Sequence, residues 1–125
     1  MMVDTDVLIW YMRGNEKALK IINQQNAFHI SVVTYIELVQ GMRNKDELNA
    51  LRNALRNWNT KILYITEEIS SKAMFYIERH YLSHALQLAD SLIRATALAN
   101  GLTLLTANDK HYKMINELKL KIFRP

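Results

Sequence analysis

The sequence predicts an α/β fold: a mostly parallel sheet with helices on both of its faces. Two patterns carry that expectation. Short apolar runs of strand character alternate with segments whose apolar residues recur at helical spacing, the order expected of βαβ units. The chain has 125 residues, half of them hydrophobic, which suits one domain with a substantial core. One Pro, three Gly and 22% charged residues fit a folded chain rather than a disordered one. Residues 1–125 are therefore expected to form a single domain.

Taken in order, "MMV" at the start is a short apolar strand followed by the turn-capable Asp4-Thr5-Asp6. "AFHI" (Ala27 to Ile30) is a second strand candidate. "DELNALRNALRNW" places Leu48, Leu51, Leu55 and Trp58 on one helical face. "KILYI" (Lys61 to Ile65) is β-branched and aromatic, as strands prefer. Residues 67 to 82 carry Ile69, Ala73, Tyr76, Ile77 and Tyr81 in a helical stripe. "DSLIRATALANG" is an Ala- and Leu-rich helix that stops at Asn100-Gly101. "LTLLT" (Leu102 to Thr106) reads as a buried strand. "LKLKIF" (Leu118 to Phe123) alternates apolar and basic residues, as an edge strand would.

Several classes of function drop out. With no cysteine, the chain has no disulfide, no thiolate metal site and no Cys nucleophile. Its apolar runs fall far short of the ~18 residues that a membrane-spanning helix needs. The N-terminus lacks the basic start of a secretory signal, and Asp4 and Asp6 interrupt its apolar stretch, so a cytosolic protein is expected. The net charge of +4 mildly favours an anionic partner.

Most of the twelve Asp and Glu residues sit in polar company and read as solvated. Asp4, Asp6, Glu37, Asp90 and Asp109 differ, because each lies near a strand end or on the helix beside one. Taken singly, each has an ordinary structural explanation. Asp90 suits a helix N-cap, Thr34 and Glu37 have capping-box spacing, Asp4 and Asp6 suit a turn, and Asp109 suits a surface turn. Gathered at the same edge of one sheet, they would repel one another and would need protons or cations. Oxygen-only ligands suit Mg²⁺ or Mn²⁺. A pair of such ions is a known device for in-line phosphodiester cleavage.

Three stretches resemble the PIN-domain family, and within it the VapC-type toxin ribonucleases. "VDTDVLIWYM" is similar to the family's opening motif. "ISVVTYIELVQGM" is similar to its second, a Ser after a strand and then a helix bearing an acid. "LADSLIRATALANGLTLLTANDKHYKMI" is similar to its third and fourth. The resemblance covers essentially the whole chain. It implies a three-layer α/β/α sandwich and a Mg²⁺- or Mn²⁺-dependent endoribonuclease. Asp4, Glu37 and Asp90 match the catalytic and metal-binding acids, and Thr5 and Thr106 match supporting hydroxyls. The chain departs from the pattern at Asn108, where some members carry a fourth acid, with Asp109 following as a further candidate ligand. It departs again at Asp6, where the family usually has Asn or Ser, and in a first strand about two residues shorter than usual.

The resemblance also implies that RNA is cut by water activated on a metal ion, leaving a 5′-phosphate and a 3′-hydroxyl. None of His29, His80, His84 and His111 lies in a pattern that assigns it to the site; His111 reads as structural. With four acids placed at the site, the rest of the chain is strongly basic, and Arg94 and Lys110 are the nearest candidates for RNA contact. The family implies a VapB-type antitoxin that wraps the toxin, with the toxin a homodimer and the pair a higher hetero-oligomer. The face with Leu48, Leu51, Leu55 and Trp58, beside Arg52 and Arg56, has the pattern of core and in part of an antitoxin groove. Tyr76, Ile77 and Tyr81 are candidates for the homodimer face. The competing readings are a non-catalytic PIN-like module that binds RNA or protein, and a processing or repair nuclease.

Overall fold

The computed structural model of the chain describes residues 1–83, 86–110 and 117–125. Elements run in the order β1 (Met2–Val3), α1 (Thr5–Met12), α2 (Glu16–Asn23), β2 (His29–Ser31), α3 (Val32–Gln40), α4 (Lys45–Asn57), β3 (Lys61–Leu63), α5 (Glu67–His80), a 3-10 turn (Tyr81–Ser83), α6 (Leu88–Ala99), β4 (Leu104–Thr106) and β5 (Leu120–Ile122). The sheet has the strand order β3-β2-β1-β4-β5. All four strand pairings are parallel.

Alternation along the short strands builds two cores. Val3, Ile30, Leu105 and Phe123 face Val7 and Leu8 of α1, Ala18 and Ile22 of α2, Leu38 of α3, and Leu51 and Leu55 of α4. Their neighbours Met2 and Leu104 point the other way, onto Ile93 and Ala97 of α6, beside Leu63 and Leu120. Helix α5 lies outside α6 and meets it through Ile69, Ala73 and Ala95. The result is the expected helix–sheet–helix sandwich. Among the described residues, no helix is long and apolar enough to cross a membrane.

Each of the five strand-like runs yields a strand shorter than the run, although β2 ends at Ser31, one residue past "AFHI"; "LKLKIF" supplies the edge strand β5 as expected. Helix α6 ends where the sequence says it should. Gly101 adopts φ +63°, its N–H donates to Leu98 O, and Leu102 N–H reaches back to Ala97 O. Gly14, at φ +83°, closes α1 in the same way. Helix α2 has no counterpart in the sequence analysis. Ala18, Leu19, Ile21 and Ile22 do form an apolar stripe on it, but it is short, eight residues in all, and only Ala18 and Ile22 are fully buried.

Three expectations need correction. Asp90 is not the cap of α6; Gln87 holds that position and Asp90 lies in the first turn. Thr34 and Glu37 form no capping box, because α3 begins two residues before Thr34, with Ser31 as its cap. Tyr76 is only 7% exposed, since its helix turns that side inward, so it cannot serve a homodimer face. Met74, Phe75, Tyr81 and Leu82 are the apolar residues left exposed at that end. His84 and His111 lie outside the described residues.

Candidate active site

In an open parallel sheet, side chains converge in the crevice beyond the strand ends where the strand order reverses. Here that point lies between β1 and β4. Asp4 follows β1 and continues the ladder, its N–H donating to Leu105 O at 2.8 Å. Its backbone turns at once into α1, and Thr5 N–H donates to Asp4 Oδ1 at 2.8 Å, so Asp4 is also the helix cap. Thr106, the last residue of β4, donates its hydroxyl to Asp4 Oδ2 at 2.8 Å. The same hydroxyl lies 3.3 Å from Asp6 Oδ2, which accepts from Ala107 N–H at 3.1 Å. One hydroxyl proton thus faces two carboxylates, and the shorter contact is to Asp4. Asp6 Oδ1 is buried and has no hydrogen-bond partner among the described residues.

Glu37 enters from α3. Thr5 donates its hydroxyl to Glu37 Oε1 at 2.7 Å, and the Thr34 hydroxyl lies 3.0 Å from the Thr5 oxygen. The S/T-x-x-E spacing therefore has a use that capping does not describe: both residues meet Thr5. Asp90, in the first turn of α6, is close enough to raise the pKa of both Asp4 and Asp6.

Burial is the main force on Asp4, which is 7% exposed. Burial first, then the charge of Asp6, pushes its carboxyl up to about 7, against the pull of the Thr106 hydroxyl and the Thr5 N–H; Asp90 adds a smaller push. Asp6 is likewise raised, chiefly by burial, while the N–H groups of Ala107 and Val7 oppose the shift. Among the described residues, no Lys, Arg or His forms an ion pair with Asp4, Asp6, Glu37 or Asp90. This is a cluster of hard oxygen donors short of positive charge, and a divalent cation fits that deficit. Among the described residues, no three carboxylate or imidazole side chains close into a complete cage.

Of the other candidate residues, Lys110 is exposed and Asn108 accepts its N–H through Oδ1 at 3.1 Å. Asp109 pairs with Arg124 at 2.7 Å, which holds its carboxyl below the usual range. Arg94 is not on the surface: it is 3% exposed, and its Nη2 donates to Asn108 O at 3.1 Å. Arg124 escaped the sequence analysis altogether, since nothing marks an arginine one residue from the end as a site neighbour.

A groove of about 790 Å³ runs between α1, α3 and α4, lined by Ile9, Met12, Leu38, Met42, Leu51 and Trp58. Glu37 lines it too, so the groove and the acid cluster share a residue. Its cations are Arg13 and Arg43 rather than Arg52 and Arg56. Leu55 is in the core, and Trp58 meets Tyr11 edge-on at 4.9 Å.

Residues 1–117 match the family model described as PIN domain. The chain is 34% identical over 122 residues to ribonuclease VapC10 of Mycobacterium tuberculosis, across 94% of this chain and 90% of the relative. It superposes on a chain of a toxin–antitoxin complex from Klebsiella pneumoniae with a TM-score of 0.75 and 28% identity, across 94% of this chain and 93% of that one. A chain in the structure of VapBC2 from Rickettsia felis, bound to a DNA fragment from its promoter, gives a TM-score of 0.80 at 19% identity, across 98% of both chains. With its acids at the sheet's switch point and a family match over nearly its whole length, this chain belongs to the PIN domain family.

Proposed function

We propose that this protein is a divalent-metal-dependent endoribonuclease, the toxin of a VapBC-type toxin–antitoxin pair, and that it works as one domain in the cytoplasm with Mg²⁺ or Mn²⁺. The observation that carries this reading is Asp4: buried at the switch point, beside Asp6 and Asp90, with no cationic side chain among the described residues paired to it. Asp4 and Asp90 are the proposed ligands, with Glu37 a further ligand or a partner through water. The bound cation would supply Lewis acidity to the phosphodiester and lower the pKa of the attacking water.

The remaining steps belong to the chain. The Thr106 hydroxyl fixes one oxygen of Asp4 and the Thr5 N–H the other, leaving a lone pair on each for the site. Glu37, oriented by the Thr5 hydroxyl, accepts the proton that the attacking water gives up. Cleavage then leaves a 5′-phosphate and a 3′-hydroxyl. Lys110 and the basic excess of the chain draw the RNA backbone towards the acids. Asp109 is the weaker candidate ligand, being engaged by Arg124.

The groove between α1, α3 and α4 is the proposed seat of the antitoxin, read as an amphipathic segment that lays apolar residues along Leu38, Met42 and Trp58. Because Glu37 lines that groove, an occupant lies against the catalytic acids. Two copies of the toxin would pair over the exposed end of α5.

The deciding experiment incubates the purified protein with a pool of cellular RNAs, with Mg²⁺ or Mn²⁺ and with EDTA, beside Asp4→Asn. Cleavage should require the metal and Asp4. Equal cleavage in every arm would overturn the metal-nuclease reading, and no cleavage in any arm would favour a binding module.

A further inference from the structure

The loop after β4 is gripped by charged side chains from three separate parts of the chain. Asp6 of α1 accepts from Ala107 N–H at 3.1 Å. Arg94 of α6 donates through Nη2 to Asn108 O at 3.1 Å. Arg124, beyond β5, donates to Ala107 O at 3.3 Å and to Asp109 Oδ2 at 2.7 Å. Loops at a sheet edge are ordinarily mobile; here a run of three residues is tied from three directions. What the loop carries explains why that matters. Asn108 N–H donates to Thr106 Oγ1 at 3.0 Å, and that hydroxyl donates to Asp4 Oδ2 at 2.8 Å. Any slack at Asn108 therefore reaches Asp4 through two hydrogen bonds.

Arg94 is the unusual member of this set. An arginine is seldom buried without a carboxylate, because desolvating the guanidinium is costly. Arg94 is 3% exposed, makes no ion pair among the described residues and leaves Nη1 buried without a partner. Among the described residues its polar contact is the Asn108 carbonyl. A planar, permanently charged donor beneath a carbonyl is a directional fastening that a neutral side chain would not match.

We propose that Arg94 is a positioning residue which, together with Arg124, clasps the 107–109 loop and thereby holds the Thr106 hydroxyl on Asp4. The proposal rests on Asp4 being a catalytic acid, and its test separates the two claims. The full-length chain is compared as wild type, Arg94→Gln, Arg94→Lys and Arg124→Ala. Amide hydrogen exchange is read at Ala107 and Asn108, and RNA cleavage is read as kcat and KM.

Arg94→Gln and Arg124→Ala should speed exchange at Ala107 and Asn108 while Val3 and Leu105 stay protected. Arg94→Gln should lower kcat about 10- to 100-fold at unchanged KM, as loss of a group supporting a metal ligand does. Arg94→Lys should recover part of that loss, since its ammonium still donates. A raised KM at unchanged kcat would overturn the proposal by putting the guanidinium on RNA. Unchanged exchange in a folded variant would also overturn it. Should Arg94→Gln fail to fold, Arg94→Lys and Arg124→Ala carry the same readouts. If the wild type cleaves nothing, the nuclease reading fails, and the exchange data still decide whether the loop is clasped.

Discussion

Two strand-to-helix turns lie side by side in the sheet and differ in one chemical respect. After β1, Asp4 turns the chain into α1; at the end of β2, Ser31 turns it into α3. Their backbones nearly coincide, at φ −75°, ψ 157° and φ −72°, ψ 149°. Each side chain caps its helix, Asp4 accepting from Thr5 N–H and Ser31 Oγ from Val33 N–H. Both are buried, at 7% and 0% exposure. A hydroxyl does this work without a charge to solvate. The carboxylate does the same capping while facing Asp6 and Asp90, with its pKa driven to about 7. Capping accounts for Ser31 fully and for Asp4 only in part; the surplus charge at Asp4 is what the proposed chemistry would use.

The strongest way to break this comparison is to make the first turn like the second. Asp4→Ser keeps a capping oxygen and removes the charge. Cleavage should fall by at least about 100-fold, the scale of losing one group that meets developing charge, measured as kcat/KM on an RNA pool. The fold should survive, with far-UV circular dichroism unchanged. If Asp4→Ser unfolds the protein, the carboxylate is structural after all and the two turns are not equivalent.

The next largest effect is on stability against pH. The folded Asp4 carboxyl holds its proton up to about pH 7, whereas the unfolded chain loses it near the ordinary carboxylate value of 3.8. The unfolded state therefore binds fewer protons between these values, and stability falls as pH rises through that window. The integrated loss is on the order of 4 kcal/mol in metal-free protein. Denaturant melts from pH 4 to 8 should show the decline, Asp4→Asn should reduce it to the part that the raised Asp6 carboxyl contributes, and Mg²⁺ or Mn²⁺ should offset it at pH 8 more than at pH 5. A metal-free protein equally stable at both ends would mean that Asp4 ionises without penalty.

What was legible in the sequence follows from which residues declare their surroundings. The strands showed themselves because Leu104, Leu105 and Thr106 are buried on both faces, which leaves an unbroken apolar run. Asp4 showed itself by standing in such a run. Helix α2 is less conspicuous, being only eight residues long with Ala18 and Ile22 its only buried residues. Arg94 could be placed one turn past Asp90, but arginine on a helix reads as surface. Only the packing of α6 between the sheet and α5 buries it, along with Ser91, Ile93, Ala95, Thr96 and Ala97. Arg124 acts across the sheet edge on residues fifteen and seventeen positions earlier, and no local pattern encodes that.

A smaller effect tests whether the environment of Asp4, and not only its charge, matters. Thr106→Val removes the hydroxyl that Asp4 Oδ2 accepts from and keeps the β-branched shape of β4. Cleavage should drop about 10- to 100-fold, as expected when a group that orients a metal ligand is lost. A titration of activity with Mn²⁺ should show a higher half-saturating concentration. Full activity at the same Mn²⁺ requirement would mean that Asp4 is held well enough by Thr5 alone.

The smallest effect falls on the other turn, and it completes the comparison. Ser31→Ala removes a cap of the same geometry from a helix that carries Glu37 farther along. Val33 N–H loses its acceptor, which should cost about 1 kcal/mol in a denaturant melt. Cleavage per folded molecule should not change, because Glu37 is oriented by the Thr5 hydroxyl and not by the start of α3. Loss of a cap frays the first turn, and Glu37 lies more than a turn beyond it. A drop in kcat that matched the loss from Asp4→Ser would show that the two turns act as one unit. A modest loss of stability at unchanged kcat would leave the division as drawn: two turns of one backbone shape, one of which ends in a charge that the fold has no need of.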